Sequence, residues 1–160
     1  MNINPVSEKG MGFLFGLAGK MRSVLIVDDE IGARESLKMI LKNDYEVFLA
    51  KNAEEAFSQI KEHSPDVILL DIILPDLDGL KVLERIKLND PDMVVIMITA
   101  TKTVKTAAEA TKLGAYGYVP KPFDIDELRL IIIRSLSAKA LEQEVKIPAK
   151  KWIDFENKST

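Results

Sequence analysis

The chain has 160 residues, of which 47% are hydrophobic and 29% charged, the balance of one globular domain with tails rather than of a disordered or membrane-embedded chain. Its net charge of −3 gives no general attraction to nucleic acid or to an anionic membrane, so direct nucleic-acid binding is not expected of it. With no cysteine and a single histidine, His63, disulfides, thiolate metal sites and histidine metal clusters are excluded, and a cytoplasmic location fits.

Residues 10–19 form an apolar stretch of about ten residues, half of what spans a bilayer, so no membrane span is expected. Residues 1–20 read as a leader or tag outside the fold, with Met21 as an alternative start. A lesser reading has this segment dock on its own domain or on a membrane surface. Residues 21–144 read as the folded domain and 145–160 as a C-terminal tail or truncated linker.

From Ser23 onward, short apolar runs alternate with helical periods. Ser23–Val27 is a buried strand ending at Asp28 and Asp29, and Ala33, Leu37, Ile40 and Leu41 follow at helical spacing. Residues 45–50 give a second strand, and Asn52 caps a helix with Ala53, Ala56, Phe57 and Ile60 on one face. A third run, 66–70, ends at Asp71 and leads through a loop punctuated by Pro75 and Gly79 to a helix bearing Leu80, Leu83 and Ile86. Asp76 and Asp78 read as turn residues of that loop. Residues 93–98 form a fourth strand ending at Thr99, and a weaker helix over 103–113 is closed by Gly114. Residues 115–119 form the fifth strand, ending before Pro120, Lys121 and Pro122. Asp124 or Asp126 caps a last helix through Leu128, Ile131, Ile132 and Leu136, expected to stop before Pro148. Leu130, Ile133, Ala140 and Leu141 add a second partial apolar stripe, which suggests a self-association seam.

Strict alternation of strands and helices, with strands apolar on both faces, predicts an α/β fold whose parallel sheet is covered on both sides. Right-handed crossovers leave few topologies, among them the flavodoxin-like doubly wound (βα)5 order 2-1-3-4-5. Any of these gathers Asp28, Asp29, Asp71, Thr99 and Lys121 on one edge. Two unit charges about 4 Å apart repel by roughly 4 kcal/mol at an effective dielectric near 20, so three carboxylates there require a cation. Hard oxygen donors without histidine or cysteine favour Mg²⁺, with Mn²⁺ able to substitute. Such a site suits phosphoryl transfer, with Asp71 as carboxylate nucleophile, Lys121 as a point charge and Thr99 as a hydroxyl donor. Any one of these residues alone would be an ordinary cap, solvated charge or turn residue; their convergence is what points to chemistry.

The chain resembles a response-regulator receiver domain of two-component signalling over residues 23–141. The resemblance is carried by Val27-Asp28-Asp29-Glu30, Leu70-Asp71-Ile72, Leu74-Pro75-Asp76-Leu77-Asp78-Gly79, Ile98-Thr99-Ala100 and Val119-Pro120-Lys121-Pro122-Phe123. Residues 103–141 are most like receivers of enhancer-binding, NtrC-like transcription activators. The resemblance implies that Asp71 accepts a phosphoryl group from a sensor histidine kinase, a phosphotransfer protein or a small acyl phosphate. It implies that Asp29, Asp71 and the backbone carbonyl of Ile73 bind Mg²⁺ directly and that Asp28 binds it mainly through water. Thr99 and Tyr118 would form the switch, reported by the face of the fourth helix, fifth strand and fifth helix, with homodimerisation on phosphorylation. Ile73 and Thr101 occupy the positions that tune the acyl phosphate's lifetime; neither carries an acid or amide, which implies slow self-dephosphorylation. Such a chain is a signalling receiver that catalyses only its own phosphorylation and dephosphorylation. An aspartyl-nucleophile phosphatase is disfavoured because Ile73 stands where a second acid is needed. A flavodoxin-like cofactor binder is disfavoured because no phosphate-cradling loop follows the first strand, and a non-phosphorylated receiver-like module because the acid, threonine and lysine set is intact.

Overall fold

The computed structural model describes residues 19–100 and 103–158, with side chains to Gln143. Five strands, β1 (Ser23–Val27), β2 (Glu46–Ala50), β3 (Val67–Leu70), β4 (Val94–Thr99) and β5 (Gly117–Pro120), form one parallel sheet in the order β2-β1-β3-β4-β5. The connecting helices are α1 (Ile31–Leu41), α2 (Ala53–His63), α3 (Gly79–Asn89), α4 (Val104–Lys112) and α5 (Ile125–Lys158). The 2-1-3-4-5 order is therefore the one adopted.

The three central strands are buried along their whole length, and alternate residues serve opposite faces. Leu25, Val27, Ile68, Leu70, Val95 and Met97 pack under α2, α3 and α4. Val24, Ile26, Val67, Leu69, Ile96 and Ile98 meet Leu37 and Leu41 of α1 and Leu128, Ile132 and Leu136 of α5. Each large side chain buried this way contributes roughly 1.5–3 kcal/mol, which is what fixes the register and hence which residues stand at the strand ends.

Side-chain caps set the starts of α2, α3 and α5. Asn52 Oδ1 accepts from the Glu55 N–H at 2.8 Å, Asp78 Oδ1 from Leu80 at 2.9 Å, and Asp124 Oδ1 from Asp126 and Glu127 at 2.8 and 3.1 Å. Gly114, at φ +98°, closes the α4 turn as its composition implied. The bounds expected from sequence shift by a residue or two: Thr99 lies inside β4, and β5 begins at Gly117 rather than two residues earlier.

The last helix departs from expectation, running as one element to Lys158 past Pro148. A helical proline removes one hydrogen bond and crowds the preceding turn, a cost of ~3 kcal/mol, but it does not forbid the helix. The Leu, Glu, Gln, Ala and Lys residues flanking it are strong helix formers. The second stripe expected on α5 is on the surface: Leu130, Ile133 and Leu141 are exposed. Among the described residues no helix is long and apolar enough to cross a membrane.

Candidate functional site

The register Val27↔Leu70 between β1 and β3 sets the next residues, Asp28 and Asp71, side by side. The strands hold the turn by backbone bonds, from Asp71 N–H to the Val27 carbonyl at 3.0 Å and from Asp28 N–H to the Ala50 carbonyl at 3.1 Å. Both aspartates are buried, while Asp29 beside them is exposed. On the other side, Thr99 pairs with Pro120, and the Thr99 carbonyl accepts from the Lys121 N–H at 2.9 Å. That bond carries Lys121 back over the strand ends.

The lysine reaches the acids. Its Nζ donates to Asp28 Oδ2 at 2.5 Å and to Asp71 Oδ2 at 2.9 Å. Burial alone would lower the Lys121 pKa, but the hydrogen bonds and charges of Asp28 and Asp71 outweigh it and raise the pKa, so the ammonium persists well beyond neutral pH. One cation against three anions still leaves the cluster negative. Asp28, Asp29 and Asp71 each offer an oxygen within 4.8 Å of the others, a hard all-oxygen donor set that fits a small divalent cation. The deduced convergence of these four residues is thus seen directly.

Thr99 is fully buried at the end of β4. Tyr118 is half-buried on β5 and packs on the cluster beneath α2–α4. Burial, and secondarily the charge of Asp71, raise its phenol pKa, which places the ring within electrostatic reach of the acid. Ile73 is 60% exposed at the rim, with its N–H donating to Asp71 Oδ1 at 3.1 Å. Thr101 lies outside the described residues.

Three supporting roles were not legible in the sequence. Arg34 of α1 donates from Nη1 to the Asp28 carbonyl at 2.6 Å, fixing the acidic turn from outside. Asp76, expected to be a turn residue, accepts from the Ala53 and Glu54 N–H groups at 2.9 and 3.0 Å and so ties the loop after Asp71 to the start of α2. The Ala53 bond, ahead of that from Glu54, holds its carboxyl below the usual range. Gly79 lets the helix start press on the strand end: a Cβ there would lie 2.3 Å from the Asp71 carbonyl oxygen and 2.5 Å from the Ile72 Cα. In the sequence Gly79 is legible only as punctuation of the loop.

With this geometry, residues 24–133 match the family model described as the response regulator receiver domain. The chain belongs to that family. It is a phosphoacceptor signalling domain, the class its strand-end acids implied. It is 39% identical over 124 residues to the regulatory protein AtoC of Escherichia coli (strain K12), covering 77% of this chain and 27% of that protein. It is 37% identical over 118 residues to sporulation initiation phosphotransferase F of Bacillus subtilis (strain 168), covering 73% of this chain and 95% of the relative. Among solved structures, NtrX from Brucella abortus superposes with TM-score 0.74 at 36% identity, covering 78% of this chain and 29% of that one. A CheY-like receiver domain protein from Methanospirillum hungatei JF-1 gives 0.73 at 32% identity, covering 76% and 98%. The likeness to AtoC and NtrX bears out the expected kinship with NtrC-like receivers. The chain spans less than a third of AtoC's length.

Proposed function

We propose that Asp71 is the phosphoacceptor and that the chain takes a phosphoryl group from a histidine kinase or phosphotransfer protein, or from a small acyl phosphate. The observation that carries this reading is Lys121 Nζ bridging Asp28 and Asp71 at 2.5 and 2.9 Å. It is a cation already aimed at the carboxylate that would become an acyl phosphate.

A carboxylate oxygen of Asp71 attacks phosphorus in line, a new P–O bond forms, and the donor's P–N or P–O bond breaks with the electron pair leaving on the donor. Lys121 faces one phosphoryl oxygen and Thr99 supplies a hydroxyl to another. Asp28, Asp29, Asp71 and the Ile73 carbonyl are the groups that would hold Mg²⁺, or Mn²⁺ in its place; bound there, it offsets the charge of the acids and of the incoming phosphoryl oxygens.

Thr99 and Tyr118 then form the switch, because contacts to the phosphoryl group exist in only one of two conformers and bias the equilibrium between them. The reporting face is α4, β5 and α5, where Tyr116, Ile125, Leu130 and Ile133 are exposed. Homodimerisation through that face would cover them. The kinship with NtrC-like receivers supports a cytoplasmic location and an output in transcription.

Incubation with acetyl phosphate and Mg²⁺, followed by intact-mass spectrometry, tests the reading. One phosphoryl group per chain is expected, absent in Asp71→Asn and absent when EDTA removes the metal. A chain that hydrolyses many equivalents without retaining one would instead be a phosphatase, and a chain that Asp71→Asn still lets be labelled would move the acceptor elsewhere.

A further inference from the structure

The end of the molecule opposite the phosphoacceptor carries an apolar groove of about 600 Å³ between the C-terminal halves of α2 and α3. Phe57, Ile60, Ile86, Leu88 and Met93 line it, with Lys61 and Arg85 beside them. Its volume lies within the roughly 300–1,000 Å³ typical of sites that bury a ligand. Leu88 is 76% exposed, although a leucine gains roughly 1.5–3 kcal/mol on full burial.

The chain's own N-terminal end emerges beside this groove. Asp66 Oδ2 accepts from the Ser23 N–H at 2.8 Å, and Arg22 Nη1 donates to Asp66 Oδ1 at 3.3 Å, which pins Arg22 and Ser23 next to the turn that follows α2. Ser64 in that turn lines both the groove and the polar recess around Lys20, Met21 and Arg22. Gly19, at φ +74°, forms a bend just before this point. Immediately upstream the sequence reads Phe13-Leu14-Phe15-Gly16-Leu17. Leu17 lies five positions before Arg22, a reach of up to roughly 17 Å.

We propose that the segment Phe13-Leu14-Phe15-Gly16-Leu17 is a docking peptide for the α2–α3 groove of its own chain. The short tether is what makes an intramolecular occupant the favoured one. Linkage over so few residues gives an effective concentration on the order of mM, so an intrinsic affinity of that order already half-fills the groove. The aromatic pair Phe13 and Phe15, spaced by two, supplies the apolar anchors. Docking there covers the face of α2 and α3 away from α4, β5 and α5, leaving the proposed signalling face open.

Hydrogen exchange read by mass spectrometry on the full chain tests this. Phe13→Asp with Phe15→Asp should speed exchange at residues 57–64 and 85–93 by about twofold or more, the change expected when a half-filled groove empties. Leu88→Asp, a substitution at an exposed position that leaves the core intact, should by reciprocity speed exchange at residues 12–18. Unchanged exchange at the groove in the double variant overturns the proposal. It is equally overturned if protection grows with protein concentration alongside a dimer in sedimentation, which makes a second copy the occupant. Protection seen only with phosphatidylglycerol vesicles would make the segment a membrane contact instead.

Discussion

Ile73 sits at the solvent-facing rim beside Asp71, the acceptor in the proposed reading. Its backbone N–H bonds Asp71 Oδ1, yet its side chain is 60% exposed and carries no atom that could orient water. An acyl phosphate on Asp71 would therefore decay slowly, since hydrolysis needs a water positioned in line. Loss of label from phosphorylated protein after the donor is removed should take far longer than seconds. Ile73→Asn, which adds an amide but keeps the backbone carbonyl, should speed that loss by roughly tenfold while leaving the extent of labelling unchanged. Decay within seconds in the parent chain would show that exposure of the aspartyl group, rather than its neighbour, sets the lifetime. Asp28, Asp71 and Lys121 were legible in the sequence because each closes an apolar run, and a parallel register fixes where such runs end. Arg34 was not, because its bond to the Asp28 carbonyl depends on the rotation of α1, which no periodicity reports.

At the scale of elements, the loop from Ile72 to Asp78 is braced at both ends. Asp76 crosses 23 positions to cap α2 through Ala53, and Gly79 donates its N–H to the Ile72 carbonyl at 2.7 Å. The loop is legible from its Pro and Gly, and Asn52 as a cap, because those signals are local. The tie to α2 is not, because a carboxylate's partner across a fold leaves no mark in its own neighbourhood. The close packing makes a specific prediction. Gly79→Ala adds a methyl group whose nearest neighbours at 2.3–2.8 Å are backbone atoms, which cannot rotate away. The loop must shift, at a cost typical of overpacking, about 1–3 kcal/mol, measurable by denaturant unfolding. The same shift displaces the carbonyl of Asp71, so phosphorylation by acetyl phosphate should slow as well. Full stability together with slower labelling would locate the effect in the site alone, and loss of neither would show that the loop yields without consequence.

For the whole molecule, the two apolar layers on either side of the sheet decide how the chain responds to conditions. The layer under α1 and α5 takes in Tyr45, 4% exposed beside Leu37 and Leu41. Burial, with a lesser contribution from the charge of Asp44, pushes its phenol from an ordinary value of 10.0 up to about 12. The sign follows from where each state ionises. Above pH 10 the phenol of the unfolded chain loses its proton, while the buried one keeps it until about 12, so unfolding is favoured progressively across that window. The gap corresponds to about 2–3 kcal/mol of stability lost by its upper end. Lys121 acts in the same direction, because its raised pKa means that its stabilising charge is lost as pH rises through the folded value. Tyr45→Phe separates the two contributions. Its unfolding free energy in urea should fall less steeply than the parent's between about pH 10 and 12, with the remaining slope owed to Lys121 and other groups. Identical slopes in the two proteins would mean that the Tyr45 phenol ionises in the folded chain as readily as in water, and that this layer admits solvent at high pH.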